Sequence, residues 1–343
     1  MPRVVTFGEI MLRLSTPGFS RFLQAQSFDV TYGGGEANVA AALAQFGLDA
    51  AFVCKIPAHE IGQAAVNHLR RFGVDTSHIV RAGDRLGIYF LETGASQRAS
   101  KVVYDRAHAA VTTLTPGELD PASIFAGADW FHWTGITPAL GETAHQTLRA
   151  LLEAAKSGGC IVSCDLNFRK KLWTTEQAQA VMRPLMEFVD VCIANEEDAE
   201  KSLGVAPAET DVTAGELSEA GYGSLATTLK ADFGFQRVAI TLRESHSASR
   251  NGWSALMLDD EQCAEPTRSK RYDIQLVDRV GGGDSFAAGL IYGLLTKTNS
   301  RAALEFAVAA SALKQTIPGD FNIVSPGEVE KLAGGDGSGR VER

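Results

Sequence analysis

The chain has 343 residues, which at about 150 residues per domain allows two domains or one large α/β unit with an appendage. Hydrophobic residues make up 45% and charged residues 21%. That globular balance excludes wholesale disorder, and a chain this long buries roughly three quarters of its unfolded surface without a disulfide or metal. Thirty-two Lys and Arg stand against 41 Asp and Glu, for a net charge of −9, so neither nucleic acid nor an anionic membrane is an expected partner.

Short apolar runs alternate with helical text along the chain. Val4 to Phe7 reads as a strand, Glu36 to Phe46 as an Ala-rich helix closed by Gly47, Ala51 to Cys54 as a strand, and Ile61 to Phe72 as a helix closed by Gly73. Further strands are expected at 130–133, 160–164, 189–194 and 238–241, with helices between them. Continuous rather than alternating apolar strands indicate a mainly parallel sheet covered on both faces. In such sheets ligands bind at the carboxyl ends of the strands. Several strands here end in polar text: Gly8-Glu9, Thr134-Gly135, Asp165-Leu166-Asn167 and Asn195-Glu196.

Residues 11–33 and 86–106 break this rhythm with alternating, turn-flanked runs that predict hairpins. They suggest a discontinuous β lid (11–33 and 81–106) over a core of residues 1–10, 34–80 and 107–330. The polar stretch 205–234 reads as an insertion, and 331–343 as a mobile Gly-rich tail. Five scattered cysteines (Cys54, Cys160, Cys164, Cys192, Cys263) without a C-x-x-C pair read as reduced thiols. No signal-peptide run or span-length apolar stretch is present in the sequence, so a cytoplasmic protein is expected.

Two glycine-led helix starts carry the chemistry. Gly281-Gly282-Gly283-Asp284 precedes an apolar helical run from Ser285 to Leu295. Glycines at a helix start let backbone N–H groups converge, and the helix dipole adds positive potential, making an anion hole. A carboxylate in that turn repels a phosphate, but it suits a general base that takes the proton of an attacking alcohol. The plain alternative is an N-cap Asp after a flexible loop. In the second start, Gly33-Gly34-Gly35-Glu36-Ala37-Asn38, a turn free of side chains admits a polyhydroxylated ligand. Asn38 offers it both a donor and an acceptor; a locally satisfied Asn in a turn is the alternative. Rival motifs are missing: Asn38 and Phe286 stand where G-x-G-x-x-G needs glycine, and no Gly-Lys dipeptide permits a Walker A loop.

Together these starts resemble the ribokinase-like (PfkB-type) carbohydrate kinases, over about residues 3–320. The resemblance implies an α/β fold, a three-layer sandwich with a mainly parallel central sheet and a small β-sheet lid. It implies Asp284 as base, Gly281, Gly282 and Gly283 as anion hole, and magnesium-ATP as phosphoryl donor. Within the family the text is similar to the branch that phosphorylates 2-keto-3-deoxygluconate, through Gly87-Ile88-Tyr89, Val103-Tyr104-Asp105-Arg106, Thr134 to Leu140 and Asp165 to Trp173. That branch implies sugar-acid contacts at Gly33, Gly34, Asn38, Tyr89, Tyr104, Arg106 and Arg169, and arginines suit a carboxylate substrate.

Two departures stand out. The family's N-x-x-E element appears as Asn195-Glu196-Glu197-Asp198, with Asp198 in place of Glu, so Glu197 or Asp198 is expected to meet magnesium through water. Relatives carry a glycine-containing turn against ATP where this chain has Thr241 to Ser247, without glycine. The resemblance implies ATP contacts from Asn195, Thr241 and Arg243. The alternatives are a fructokinase or other hexose kinase with a neutral sugar pocket, and a sugar-acid sensor without catalysis. Whether a monovalent cation such as potassium activates the protein, and whether it is a homo-oligomer, stays open.

Overall fold

The computed structural model describes residues 1–206, 219–259 and 265–339. Its strands are β1 (Arg3–Phe7), β2 (Met11–Ser15), β3 (Asp29–Gly33), β4 (Asp49–Ile56), β5 (Ile79–Arg81), β6 (Gly87–Glu92), β7 (Lys101–Asp105), β8 (Trp130–Thr134), β9 (Ile161–Asp165), β10 (Val191–Ala194), β11 (Arg237–Ser247), β12 (Arg250–Asp259), β13 (Thr267–Arg268) and β14 (Tyr272–Gln275). Ten of them form one sheet in the order β13-β12-β11-β10-β9-β8-β1-β4-β5, with β14 also paired to β12. Every pair from β11 through β5 is parallel, and β12 adds antiparallel partners at one edge.

The apolar strands have no polar face because helices cover both sides. Val5 and Phe7 pack with Leu148, Leu151 and Leu152 of the helix Glu142–Ser157. Val4, one position before Val5, faces the other way, toward Leu43 of the helix Gly35–Gln45 and Phe286 and Leu290 of the helix Gly282–Thr296. Burying each such side chain is worth about 1.5–3 kcal/mol, which fixes the three layers expected from the sequence. Among the described residues no helix is long and apolar enough to cross a membrane.

β3, β2, β6 and β7 form a separate four-stranded sheet. The β2/β3 and β6/β7 pairs are antiparallel, and β2 joins β6 in parallel. Alternation in β2 turns Met11 and Arg13 inward. Arg13 is 4% exposed, and its guanidinium reaches across to the core, donating from Nη1 to Asp320 Oδ1 at 2.6 Å and from Nη2 to Asp278 Oδ2 at 2.5 Å. From β6 the Tyr89 hydroxyl donates to Asp320 Oδ2 at 2.5 Å. Buried ion pairs thus join the small sheet to the loops before the helix Gly282–Thr296 and after the helix Ser300–Lys314.

Three expectations need correction. Thr241 to Ser247 is not a turn: β11 runs through it, hydrogen-bonded to β12 as far as Ser247. Without a glycine nothing interrupts the strand. The stretch 205–234 is no loose insertion throughout, since Glu219–Phe233 is a helix whose Leu225, Ala226 and Leu229 are buried in the core; residues 207–218 lie outside the described residues. The segment 331–343 is not all tail, because the helix Pro326–Ala333 extends into it; residues 340–343 are outside the description. Cys54, Cys160, Cys164 and Cys192 are buried free thiols, and Cys263 is also outside the described residues.

Replacing Arg13 by Met leaves two carboxylates in a dry interface without their cation. The expected outcome is a stability loss of about 3–5 kcal/mol, read from urea unfolding at pH 7; a loss below about 1 kcal/mol, the range of exposed pairs, contradicts the role given to these bonds.

Candidate active site

The two glycine-led helix starts meet. Asn38, in the first turn of Gly35–Gln45, donates from Nδ2 to Asp284 Oδ2 at 2.6 Å, and its Oδ1 accepts the Gly34 N–H at 3.2 Å. The amide is thus oriented at both ends. Beneath it Glu36, fully buried, accepts from the Thr134 N–H at 3.1 Å, the Thr134 hydroxyl at 2.8 Å and the Thr137 hydroxyl at 2.5 Å. These bonds tie the helix start to the end of β8. Burial pushes the Glu36 carboxyl up to about 7 despite those hydrogen bonds.

Asp284 lies in the first turn of Gly282–Thr296, whose N-cap Gly281 has φ +80°. That backbone, and a carbonyl of Asp320 2.1 Å from where a Cβ would sit, exclude any other residue there. The Gly282 N–H closes a turn onto Arg279 O at 3.2 Å. Among the described residues no protein acceptor meets the N–H groups of Gly283 and Asp284. They face outward at the positive end of the helix, ready for an anion. Burial raises the Asp284 carboxyl from 3.8 to about 6; the Asn38 hydrogen bond opposes this, while Asp320 adds to it.

Further acids gather at the neighbouring strand ends. Asp165 closes β9 and Asp198 sits in the first turn of the helix Glu196–Leu203. Burial raises Asp165 well above the carboxylate range, and the like charges of Asp198 and Asp284 add to it; burial raises Asp198 to about 6. Arg169 pulls all three back down, so its charge lies among them. The Arg169 side chain donates to Phe168 O at 2.9 Å, and among the described residues no carboxylate lies within ion-pairing distance of it.

The other expected sugar contacts are distributed as follows. Gly33 and Gly34 are glycines because of close approach: a Cβ would meet the Asp320 carboxylate at 2.1 Å or the Glu9 carbonyl at 2.0 Å. Tyr89 and Tyr104 oppose each other across β6 and β7 with ring centroids 6.0 Å apart. The Arg106 guanidinium stacks 4.4 Å from the Tyr104 ring and forms a buried ion pair with Glu9. The Tyr89 hydroxyl is already committed to Asp320.

On the expected nucleotide side, Asn195 caps its helix: Oδ1 accepts the Asp198 N–H at 2.8 Å and Nδ2 donates to Asp198 Oδ2 at 2.8 Å. Asp198 Oδ1 accepts the Phe168 N–H at 2.9 Å. Both carboxylate oxygens of Asp198 therefore have protein donors, and Glu197 is exposed. The Thr241 hydroxyl makes only a long contact, 3.5 Å, with Ala194 O. Exposed Arg243 lies near half-buried Arg279; burial lowers the Arg279 pKa, and repulsion from Arg243 lowers it further. Among the described residues the buried Arg279 Nε has no hydrogen-bond partner. Arg279 was not singled out by sequence reading, although it sits inside the glycine-loop motif.

Two packed faces, a lid sheet and a carboxylate at an open helix start define a phosphotransferase of the α/β type. The chain matches the description "pfkB family carbohydrate kinase" over residues 1–324, and it belongs to that family. A crystal structure of 2-dehydro-3-deoxygluconokinase from Thermotoga maritima superposes with a TM-score of 0.93 at 54% identity, covering 98% of this chain and all of that one. The 2-dehydro-3-deoxygalactonokinase of Haloferax volcanii is 37% identical over 339 residues, spanning 97% of each chain. The 2-dehydro-3-deoxygluconokinase of Bacillus subtilis is 29% identical over 322 residues, 93% of this chain and 91% of that one.

A carboxyl whose pKa is higher folded than unfolded costs stability once ionised. Thermal unfolding of Asp284→Asn beside the parent should show the variant gaining relative stability as pH rises from about 4 to 6 and holding the gain above. A difference independent of pH, or one of opposite sign, contradicts the perturbed carboxyl.

Proposed function

We propose that the protein transfers the γ-phosphoryl group of magnesium-ATP to the terminal hydroxyl of 2-keto-3-deoxygluconate (2-dehydro-3-deoxygluconate), with Asp284 as general base. One observation carries it: the Asn38–Asp284 hydrogen bond, which joins the sugar-side and phosphate-side helix starts at a single carboxylate. The relatives named above for 2-dehydro-3-deoxygluconate and 2-dehydro-3-deoxygalactonate support the substrate class.

In this reaction the hydroxyl oxygen forms a bond to the γ-phosphorus and the bond from that phosphorus to the β,γ-bridging oxygen breaks. The hydroxyl proton passes to a carboxylate oxygen of Asp284. The N–H groups of the Gly281–Asp284 turn hold the negative charge of the transferring group. Arg169, which among the described residues has no carboxylate within ion-pairing distance, takes the sugar-acid carboxylate, while Tyr104 stacked under Arg106 forms a lid wall and Asn38 meets a hydroxyl beside the base. Arg243 and Arg279 are a repelling pair that an anionic triphosphate relieves. Thr241, beside Ala194, and Asn195, through its hold on Asp198, contribute to the nucleotide side of this proposal.

The acids fit magnesium only indirectly. Among the described residues no three His, Cys, Asp or Glu side chains are grouped as a cage, and both Asp198 oxygens are already bonded. The crowded charges of Asp165, Asp198 and Asp284 suit a hydrated divalent ion that keeps most of its waters. Bound with the nucleotide, magnesium would neutralise charge on the β- and γ-phosphates; Asp165 and Asp198 would hold it through water, with exposed Glu197 at the margin. A homo-oligomer formed through the lid belongs to the same proposal, supported by exposed Phe19, Leu23, Val30 and Val103.

The deciding assay is ATP consumption with 2-keto-3-deoxygluconate, 2-keto-3-deoxygalactonate, fructose and ribose. Turnover confined to the keto acids is expected; turnover only with a neutral sugar overturns the substrate assignment. Asp284→Asn should lower kcat by about 10²–10⁴-fold with sugar-acid binding nearly unchanged, and near-normal turnover rejects the base. By calorimetry Arg169→Leu should weaken the sugar acid by about 1.5–3 kcal/mol, the worth of a hydrogen bond to a charged group. A neutral hexose should be less affected. Equal loss for both removes the carboxylate role.

A further inference from the structure

Lys314 plays no part in the chemistry above, yet it is fully buried at the end of the helix Ser300–Lys314. Its ammonium donates to the backbone carbonyl of Asp278 at 3.1 Å and to that of Val280. Those two carbonyls belong to the segment leading directly into the Gly281–Asp284 turn, and the Lys314 Cε lies 3.3 Å from where a Cβ on Gly281 would stand. Two carbonyl dipoles two residues apart, turned toward one point, repel each other unless a positive charge lies between them. Two sources supply such a charge: an alkali-metal ion, which backbone carbonyls strip of its water, or a tethered ammonium. Here the ammonium is in place.

The rest of the segment shows why that charge matters. Asp278 Oδ2 accepts from Arg13 and from the Gly319 N–H at 3.1 Å, and Asp278 Oδ1 accepts the Val280 N–H at 3.1 Å. The Asp278 and Asp320 carboxylates both attract the Lys314 ammonium, and Asp284 feels its field. The left-handed Gly281 and the outward N–H groups of Gly283 and Asp284 follow immediately along the chain. A residue that fixes the carbonyls of 278 and 280 therefore fixes the direction of those N–H groups.

We propose that Lys314 is a built-in monovalent cation: its ammonium occupies the carbonyl site behind the anion hole, positions the Gly281–Asp284 turn, and frees the enzyme from any need for potassium. This rests on the anion-hole role assigned to that turn. Lys314 is a positioning residue, since it touches the loop and not the reacting atoms.

The test compares the parent and Lys314→Met in potassium chloride, methylammonium chloride and tetramethylammonium chloride at equal ionic strength. The parent should show equal kcat and equal thermal midpoint in all three salts. Lys314→Met should lose about tenfold to a hundredfold in kcat, the scale of a small misplacement of catalytic groups, with KM for the sugar acid changed less than about twofold, since uniform binding is untouched. Potassium or methylammonium, but not tetramethylammonium, should restore much of that loss and raise the variant's thermal midpoint. Several-fold activation of the parent by potassium overturns the proposal, as does an unimpaired variant, or an impaired one whose activity and midpoint no small cation restores. Should Lys314→Met not fold, the parent's response to potassium decides alone. The thermal midpoints report on the cation site without catalysis, so an enzyme inactive on every sugar acid would sink the proposed function and leave the Lys314 question answerable.

Discussion

A carboxylate shielded from water is expensive to ionise, and what surrounds Asp284 decides how expensive. Burial drives its pKa up to about 6, and one oriented amide hydrogen bond from Asn38 stops the rise there. In the proposed role of base that value suits neutral pH: charged before the substrate arrives, yet basic enough to accept a proton. The orientation of Asn38 rests on the Gly34 N–H, and the start of its helix rests on Glu36, clamped by Thr134 and Thr137. Two sets of hydrogen bonds, Thr134 and Thr137 on Glu36 and Asn38 on Asp284, are thus joined through the first turn of one helix.

Around this point the molecule separates charge by sign. Asp165, Asp198 and Asp284 crowd one another at the strand ends, with Arg169 among them. Arg243 and Arg279 repel each other at the far side of the loop. Each arrangement is unfavourable for the protein alone and is relieved by a ligand of opposite charge, which is how binding energy becomes specific to charged ligands. The small sheet enters the same network through Asp320, which bonds Arg13 and Tyr89 and packs against Gly33 and Gly281. One residue therefore touches the small sheet and both glycine-led turns, the Gly33 turn with its carboxylate and the Gly281 turn with its backbone carbonyl.

Much of this was legible in the sequence because it is written in local patterns. Continuous apolar strands foretold the doubly covered sheet and alternation foretold both hairpins; the two glycine-led helix starts marked Asn38 and Asp284 separately, and only the fold brings them together. What stayed hidden depends on distant contacts. Asp320 and Lys314 carry no local signature, since their partners lie 34 to 307 positions away. Arg13 did carry a signal, as a charged residue in the inward register of Met11, but a lone arginine in a strand has many ordinary explanations. The stretch from Thr241 to Ser247 reads in the sequence as a turn without glycine; only its pairing with β12 shows that it is strand. Gly33 and Gly34 were noticed as openings for a ligand, whereas their packing is against Asp320 and Glu9.

The central claim is that an ionised Asp284, poised near pH 6, accepts the hydroxyl proton. Its most direct test is the pH profile of kcat/KM for 2-keto-3-deoxygluconate under saturating magnesium-ATP. The account requires a plateau at neutral pH and a fall of about tenfold per unit below about 6, the limb belonging to a base in the free enzyme. A rate that stays level down to pH 4 would contradict it.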